Sequence, residues 1–196
     1  MRVLIIIMDE ELTRFLQTST FLSEVSITWG NGNILLKGAY YLCREQPPKE
    51  YISSVRAIVF REQSLLVVTD PGGEMYILPG GRVEEGELPL ETLKREILEE
   101  TGWTLFKAEL LGFMHFHHLT SRPADYKYPH PDFIWPVYLA EADSFRPGAI
   151  IPDAYVSTSR FYPISQITQL PIKKGELLLY EEAQRWRKLQ RKFSDV

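Results

Sequence analysis

The sequence predicts an α/β protein in which a mixed β-sheet is covered by helices. Short apolar runs of strand length recur along most of the chain, whereas helical patterns occupy only about residues 88–101 and 176–193. Strands and helices do not alternate strictly, which is typical of a mixed sheet with helices packed on it. With 196 residues, of which 44% are hydrophobic and 24% charged, the chain is expected to fold around one core.

The first 50 residues are expected to form a β-rich extension ahead of the main domain. Val3–Met8 is a strand candidate, and Val25–Trp29 and Ile34–Leu42 flank Asn31-Gly32, which is a hairpin signal. Pro47-Pro48 then separates this part from the rest. Three roles stay open for the extension: it extends the sheet, covers a binding site, or forms a homodimer contact through an edge strand.

Strand patterns resume at residue 54 and surround a first helix, and a second helix ends the chain. The predicted strands are Val55–Phe60, Leu65–Thr69, Met75–Leu78, Leu110–His117, Phe133–Glu141 and Arg160–Tyr162. The helices are predicted at Leu88–Thr101, where Gly102 fits a C-terminal cap, and at Glu176–Phe193. We therefore divide the chain into the extension at 1–50, a main domain at 51–170 and a C-terminal amphipathic helix at 171–196, which belongs to the same globular unit.

The last helix is expected to dock against the domain. Its apolar residues follow helical spacing and are Leu179, Ala183, Trp186 and Phe193. Basic residues fall mostly elsewhere on the helix and complement its dipole near the C-terminus. The formal net charge of −4 argues against nonspecific binding of nucleic acid, which normally needs a basic face.

Composition also bears on the compartment. The longest apolar run, Val3–Met8, is far below the roughly 18 residues of a membrane span, and no small-residue cleavage site follows it. We therefore expect a cytoplasmic protein without membrane attachment. Cys43 is the only cysteine, which excludes an internal disulfide and a Cys-rich zinc site.

Negative charge is crowded into residues 78–102, LPGGRVEEGELPLETLKREILEETG, which hold seven of the 26 acidic residues. On a helix, Glu96, Glu99 and Glu100 lie within an arc of about 100°, and Leu90, Leu93 and Ile97 form a neighbouring apolar face. Like charges at this spacing destabilise a helix, so a compensating positive charge is expected. Carboxylates gathered in this way suit a hard divalent cation, Mg²⁺ in particular.

The residues ahead of the helix support a ligand site. Pro79-Gly80-Gly81 ends a strand, and the two glycines let the backbone approach a ligand closely. Glu87 lies near the helix N-terminus, where the helix dipole favours a carboxylate. Arg95 lies among the acids and is able to orient them through charge-assisted hydrogen bonds.

This stretch resembles the Nudix box, G-x5-E-x7-R-E-U-x-E-E-x-G-U, in which U is a bulky apolar residue. Gly81, Glu87 and the run Arg95–Trp103 match every defining position. Nine constrained positions at fixed spacing make this signal far more specific than a lone glycine motif. Residues of about 52–168 look like the rest of a Nudix domain.

The resemblance implies an α/β/α sandwich and hydrolysis of a nucleoside diphosphate linked to another group X. It implies Mg²⁺, with Mn²⁺ as a substitute, bound by Glu96, Glu99, Glu100 and the carbonyl of Gly80. Glu87 and Arg95 would support these ligands as part of the catalytic set. A bound metal neutralises the diphosphate and lowers the pKa of a water that attacks phosphorus.

The general base is left open. Glu96 or Glu99 is the first choice, and Asp153 in the loop of residues 146–159 is the second. Many Nudix relatives carry a glutamate in that loop, and this chain has Asp153, Tyr155 and Ser157 there instead.

Two further groups are candidates for substrate contacts. The loop of residues 119–131 carries Arg122, Tyr126, Lys127 and Tyr128, and aromatic and cationic side chains stack on bases and bind phosphates. His118 precedes this loop; the other interpretation is a Pro-rich connection whose tyrosines cover the core. His115 and His117 share a strand face, where a second metal is conceivable, but the sequence shows no adjacent carboxylate or Cys pattern.

The substrate also stays open among (d)NTPs, nucleotide sugars and ADP-ribose. A rival function is a regulatory module that binds a nucleotide without hydrolysing it, although such proteins tend to lose box carboxylates. A second rival is an RNA 5′-end pyrophosphohydrolase, which would favour a basic surface beside the site.

Overall fold

The computed structural model describes residues 9–29, 32–122, 126–152 and 156–194. The predicted strand Val3–Met8 and the predicted turn residue Asn31 lie outside these residues. In chain order the helices and strands are α1 (Glu10–Thr18), β1 (Thr20–Trp29), β2 (Ile34–Leu42), β3 (Arg56–Arg61), β4 (Ser64–Thr69), β5 (Met75–Tyr76), α2 (Pro89–Thr101), β6 (Trp103–His118), β7 (Asp132–Phe145), β8 (Thr158–Pro163) and α3 (Lys174–Ser194).

The strands form one mixed sheet, as predicted. Their order is β1-β2-β6-β7-β3-β4-β5, with β8 paired to β4. β3 and β7 run parallel, and the other strand pairs are antiparallel. The hairpin of β1 and β2 extends this sheet, because β2 pairs with β6 from Leu36 opposite His118 to Leu42 opposite Gly112.

Helices cover both faces of the sheet. Alternate residues of β3 serve the two faces, so that Ile58 belongs to the core cluster with α3 and Ala57 to the cluster with α2. The prediction of a mixed sheet sandwiched by helices, with an N-terminal β hairpin and a C-terminal helix, is confirmed.

α3 docks against the domain along the predicted apolar stripe. Leu179 and Ala183 are fully buried, and Trp186 packs against the same core. Arg187, a basic residue of α3 outside this stripe, is 7% exposed.

The helix α1 was not predicted. The carboxylate of Asp9 caps its first turn by accepting a hydrogen bond from the backbone N–H of Glu11 at 3.0 Å. Leu12 and Phe15 are its buried residues, and the ring of Phe15 lies 4.8 Å from that of Phe113. Within the described ranges, no helix is both long and apolar enough to span a membrane.

Candidate active site

The segment before α2 is fixed against the sheet. The N–H of Val55 donates to the carbonyl of Gly81 at 2.8 Å, and the N–H of Ala57 donates to the carbonyl of Pro79 at 3.0 Å. The hydroxyl of Ser54 also donates to the Gly81 carbonyl at 2.5 Å. Residues 79–81 therefore continue the sheet beside β3 and hold a defined position under α2.

Both positions require glycine because neighbouring atoms lie too close to leave room for a Cβ. Gly80 has φ of 134°, and a Cβ there would lie 2.3 Å from the carbonyl oxygen of Val55. A Cβ at Gly81 would lie 2.1 Å from Cδ of Glu96. The missing side chain of Gly81 thus leaves the space that the Glu96 carboxylate occupies.

α2 forms where the sequence predicts it. Pro89 occupies its first turn, and the Glu91 carboxylate accepts a hydrogen bond from the N–H of Leu88 at 3.1 Å. Gly102 ends the helix in the left-handed conformation with φ of 74°. Leu93 and Ile97 are fully buried, whereas the predicted core residue Leu90 is 37% exposed because it lies in the first turn, outside the α2 core cluster.

Arg95 organises the acidic face of α2. Its guanidinium binds Glu87 through two bonds, from Nε to Oε1 at 2.7 Å and from Nη2 to Oε2 at 2.8 Å. Nη1 donates to Oε1 of Glu96 at 2.8 Å and to Oε2 of Glu99 at 3.2 Å. One cation therefore contacts three carboxylates.

The protonation behaviour of these carboxylates differs with their surroundings. Hydrogen bonds from Arg95 lower the pKa of Glu87 to about 2, with help from the hydroxyl of Thr92. Burial raises the pKa of Glu96, and repulsion from Glu99 adds to this against the attraction of Arg95. The ionised form of Glu96 is thus less favourable than that of a solvent-exposed glutamate.

Glu100 faces the glycine segment. Its Oε2 accepts a hydrogen bond from the backbone N–H of Gly80 at 2.9 Å. In the part of the chain that the structure describes, no three carboxylate, imidazole or thiol groups already converge as a metal-ligand set. Glu96 and Glu99 instead accept hydrogen bonds from Arg95, and Glu100 accepts one from the N–H of Gly80. The donor chemistry nevertheless fits Mg²⁺. Carboxylates outnumber the positive charges here, and they lie beside a backbone segment in which only glycine fits.

Arg56 is a residue of this site that the sequence analysis missed. Its guanidinium lies over the ring of Trp135 at 4.5 Å and interacts electrostatically with Glu100 and Glu96. The available signal was a lone arginine at the start of the apolar run RAIVF.

The predicted substrate loop reaches the edge of the glycine segment. The Tyr126 hydroxyl lies 3.1 Å from Nε2 of His118, and Nη2 of Arg122 donates to the carbonyl of Tyr126 at 2.9 Å. Tyr128 lies under the guanidinium of Arg82, the residue after Gly81, at 5.0 Å. Lys127 is exposed.

His118 is 4% exposed, and its Nδ1 has no hydrogen-bond partner among the described residues. Burial, together with His130 and His117, lowers the pKa of His118. The imidazole is therefore held in its neutral form beside Tyr126.

His115 and His117 share a face, as predicted, and a carboxylate that the sequence pattern does not reveal lies beside them. Oδ1 of Asp132, on β7, lies 2.8 Å from Nε2 of His115 and 2.9 Å from Nδ1 of His117. The register of β6 and β7 brings these residues together, which spacing along the chain does not show. The second candidate base, Asp153, lies outside the described residues.

A cavity of about 600 Å³ adjoins the C-terminal end of α2. Its described lining includes Glu100, Trp103, Phe145, Arg160 and Phe161. The acidic face therefore borders an open space next to Glu100 as well as the loop at Arg82.

Comparison with known proteins yields one family. A family model described as NUDIX domain matches residues 50–182. The match includes the first turns of α3, and β1 and β2 precede it.

Two curated bacterial proteins are similar to this chain. The protein named "Putative ADP-ribose pyrophosphatase YjhB", from Bacillus subtilis, is 37% identical over 76 residues, which cover 39% of this chain and 36% of that protein. The "Probable DHNTP pyrophosphohydrolase" of Lactococcus lactis is 32% identical over 115 residues, covering 56% of this chain and 68% of that protein. The chain thus aligns with about a third of the first relative and two thirds of the second.

A solved structure shares the fold. The Bacillus subtilis pyrophosphohydrolase BsRppH aligns with a TM-score of 0.51 at 17% identity, covering 70% of this chain and 77% of that one. At this identity the likeness concerns the fold alone.

Proposed function

The chain belongs to the Nudix family, and we propose on that premise that it is a metal-dependent hydrolase of a phosphoanhydride bond. The substrate class is a nucleoside diphosphate linked to a group X, such as a (d)NTP, a nucleotide sugar or ADP-ribose. The metal is Mg²⁺, with Mn²⁺ as a substitute.

One observation carries this proposal: an acid-rich face of α2 lies over a glycine cradle that is fixed to the sheet. Arg95 neutralises part of this charge and fixes Glu87, Glu96 and Glu99 relative to each other. The carboxylate that lies over Gly81 has a raised pKa. An arrangement that gathers partly buried carboxylates in excess of positive charge is costly for folding alone, and it is suited to a cation.

Each residue has a defined task in this proposal. Glu96, Glu99, Glu100 and the carbonyl of Gly80 hold the metal, which when bound neutralises phosphate charge and activates a water. Arg95, which is itself held by Glu87, orients Glu96 and Glu99 through hydrogen bonds. Glu99 or Glu96 accepts the proton of the attacking water, since both lie on this face.

The names of the relatives support the substrate class without choosing within it. One is named for ADP-ribose and the other for DHNTP. The loop with Tyr126 and Tyr128 approaches the site through Arg82 and is proposed to contact the organic part of the substrate. Arg122 and His118 fix that loop through Tyr126.

The test is release of phosphate, pyrophosphate or nucleoside monophosphate from a panel of (d)NTPs, DHNTP, nucleotide sugars, ADP-ribose and RNA with a 5′ triphosphate. We expect turnover that requires Mg²⁺ and falls about 10³-fold in Glu99→Gln. Glu85→Gln is the matched control, because Glu85 is an exposed acid of the same segment and has no proposed role.

Two outcomes would replace this proposal. Binding of a nucleotide without turnover of any panel member would favour the regulatory module. Preference for RNA over every free nucleotide would favour the RNA 5′-end activity.

A further inference from the structure

Arg56 is a cation placed beside the acidic site at the start of β3, ahead of four apolar residues. The next four residues of β3 are fully buried, and Arg56 itself is partly exposed. Its backbone adjoins the glycine segment, because a Cβ at Gly80 would lie 3.2 Å from Cα of Arg56. The strand therefore delivers one positive charge to the place where the proposed metal ligands meet the sheet.

The residues that the structure describes use little of the hydrogen-bonding capacity of this guanidinium. Within the described residues, its hydrogen bond is from Nη1 to the carbonyl of Val55 at 3.1 Å, and no carboxylate forms an ion pair with it within 4.0 Å. Glu100, Glu96 and Glu176 nevertheless act on its charge. Most of its five N–H donors thus remain available to an anion.

The position of the guanidinium is fixed by two tryptophans. It lies 4.5 Å from the ring centre of Trp135, and Trp135 stacks on Trp29 with ring centres 5.6 Å apart and an interplanar angle of 16°. Nε1 of Trp135 donates to the hydroxyl of Ser53 at 3.0 Å, which fixes the indole. Trp29 ends β1, in the hairpin that precedes the family match at residue 50.

We propose that Arg56 binds a phosphate of the substrate next to the carboxylates of α2, and that Trp135 and Trp29 are positioning residues that hold its guanidinium there. The N-terminal hairpin then belongs to the substrate site. This inference rests on the proposed function, since a phosphate substrate is what brings an anion to this place.

The chemistry favours a phosphate over a purely structural role. A planar guanidinium presents paired donors that match two phosphate oxygens, and a ring stacked on one side pre-organises it. A structural counterion for Glu96 or Glu100 would be expected to touch a carboxylate, as Arg95 does with three of them. Among the described residues, Arg56 lies near these acids without an ion pair and on the side of the glycine segment.

The first experiment measures the dissociation constants of ADP and of inorganic pyrophosphate by calorimetry, in Mg²⁺ and in EDTA. Arg56→Gln is expected to raise both constants about 10- to 100-fold. Arg56→Lys keeps the positive charge but loses the paired N–H donors of the guanidinium, and it is expected to give an intermediate dissociation constant. Arg61→Gln is the matched control, because Arg61 lies on the same strand over Trp103 at 4.7 Å, and its constants should equal those of wild type.

The second experiment tests the positioning role of Trp29. Trp29→Leu is expected to raise the dissociation constant for ADP about threefold to tenfold, and KM similarly for a hydrolysed substrate, with kcat within twofold of wild type. Trp29→Phe should restore much of the affinity because a ring remains to stack. Phe21→Leu, an exposed aromatic of the same strand, is the control and should change neither constant.

The outcomes separate the inference from the function on which it rests. Unchanged ADP and pyrophosphate affinity in Arg56→Gln, with a lowered melting temperature, would make Arg56 a structural counterion and overturn the inference. Failure of wild type to bind either probe would overturn it as well. Binding that depends on Arg56, without hydrolysis of any panel member, would uphold the phosphate site while the hydrolase proposal fails.

Discussion

Two clusters in this molecule pair an arginine with carboxylates, and they differ in the number of acidic groups for each arginine. On α3, Arg187 binds Glu141 through Nε at 2.6 Å and Nη2 at 3.2 Å, and its guanidinium lies 4.0 Å from the ring centre of Phe60. On α2, Arg95 binds Glu87 through the same two-bond geometry. Arg95 also contacts Glu96 and Glu99, so its cluster holds three acids to one base.

The difference is the one expected between a structural ion pair on α3 and the proposed metal-binding cluster on α2. The α3 cluster is closed, since one charge of each sign is satisfied and the carbonyl of Glu62 accepts a further bond from Arg187 at 3.0 Å. The α2 cluster has acid left over, and burial raises the pKa of Glu96. In the proposed function a metal ion meets this acid excess, and its binding would stabilise the folded state.

The largest expected effects come from removing each arginine in turn. Arg95→Met should lower kcat/KM about 10³-fold, because the metal ligands lose their orientation, and should lower the free energy of unfolding by only about 1 kcal/mol, because the cluster is partly exposed. Arg187→Met should lower the free energy of unfolding by about 2–4 kcal/mol, because it leaves Glu141 unpaired in a partly buried place. Its kcat/KM should stay within about threefold of wild type.

Urea unfolding and steady-state kinetics on both variants check whether Arg95→Met loses mainly activity and Arg187→Met mainly stability. Equal losses of activity in the two variants would remove the distinction, as would a larger stability loss in Arg95→Met.

A carboxylate without a bidentate arginine sharpens the comparison. Glu176, in the first turn of α3, is 6% exposed, and its Oε2 accepts a hydrogen bond from the N–H of Ile77 at 2.9 Å. Burial raises its pKa to about 7, Glu74 adds to the rise, and Lys173 and Arg56 oppose it. At a pH between 4.5 and about 7, the folded state therefore holds a proton that the unfolded state has lost.

The sign of the pH dependence follows from this raised pKa. Between the unfolded value near 4.5 and the folded value of about 7, the folded state binds more protons, so stability falls as pH rises through this window. The loss from this group is about 3 kcal/mol and is complete above the folded pKa. Glu176→Gln should show a smaller fall in unfolding free energy from pH 5 to pH 8 than wild type, by urea titration at both values. An unchanged fall would assign it to other groups.

Sequence alone was sufficient to locate the helix that carries the candidate metal ligands, because it lies within one local segment. The spacing of Glu96, Glu99 and Glu100 and the C-terminal Gly102 located α2 correctly, because helix periodicity is a local property. The contacts that were missed depend on strand register and packing. Arg56 meets Trp135, and Asp132 meets His115, only because β3, β6 and β7 are neighbours in the sheet.

α1 was missed for a related reason. It is nine residues long and buries only Leu12 and Phe15, so its apolar pattern is too short to stand out. Its place against Phe113 comes from packing, not from spacing.

The next effect is stabilisation by metal, which should distinguish the two clusters directly. At a Mg²⁺ concentration about 100 times its dissociation constant, the unfolding free energy of wild type should rise by about 2.7 kcal/mol. Glu99→Gln should lose this rise, whereas Glu141→Gln, changed in the closed cluster, should keep it.

The metal-free comparison supplies the control. In EDTA, Glu99→Gln should be as stable as wild type or a few tenths of a kcal/mol more stable, because Glu96 and Glu99 repel each other at this spacing. A Mg²⁺-dependent rise that survives in Glu99→Gln would place the cation elsewhere.

The smallest effect is expected where a salt bridge is neither buried nor crowded. Lys37 and Glu24 form a 2.9 Å ion pair across the hairpin, with side chains 60% and 59% exposed. Lys37→Met should change the free energy of unfolding by less than about 0.5 kcal/mol, because water screens the pair and both side chains lose entropy in forming it. Urea unfolding measured beside Arg187→Met tests whether burial, and not the count of ion pairs, sets the scale. A loss in Lys37→Met as large as that in Arg187→Met would mean that the closed cluster owes its strength to charge alone, and burial would no longer explain how the two arginine clusters differ.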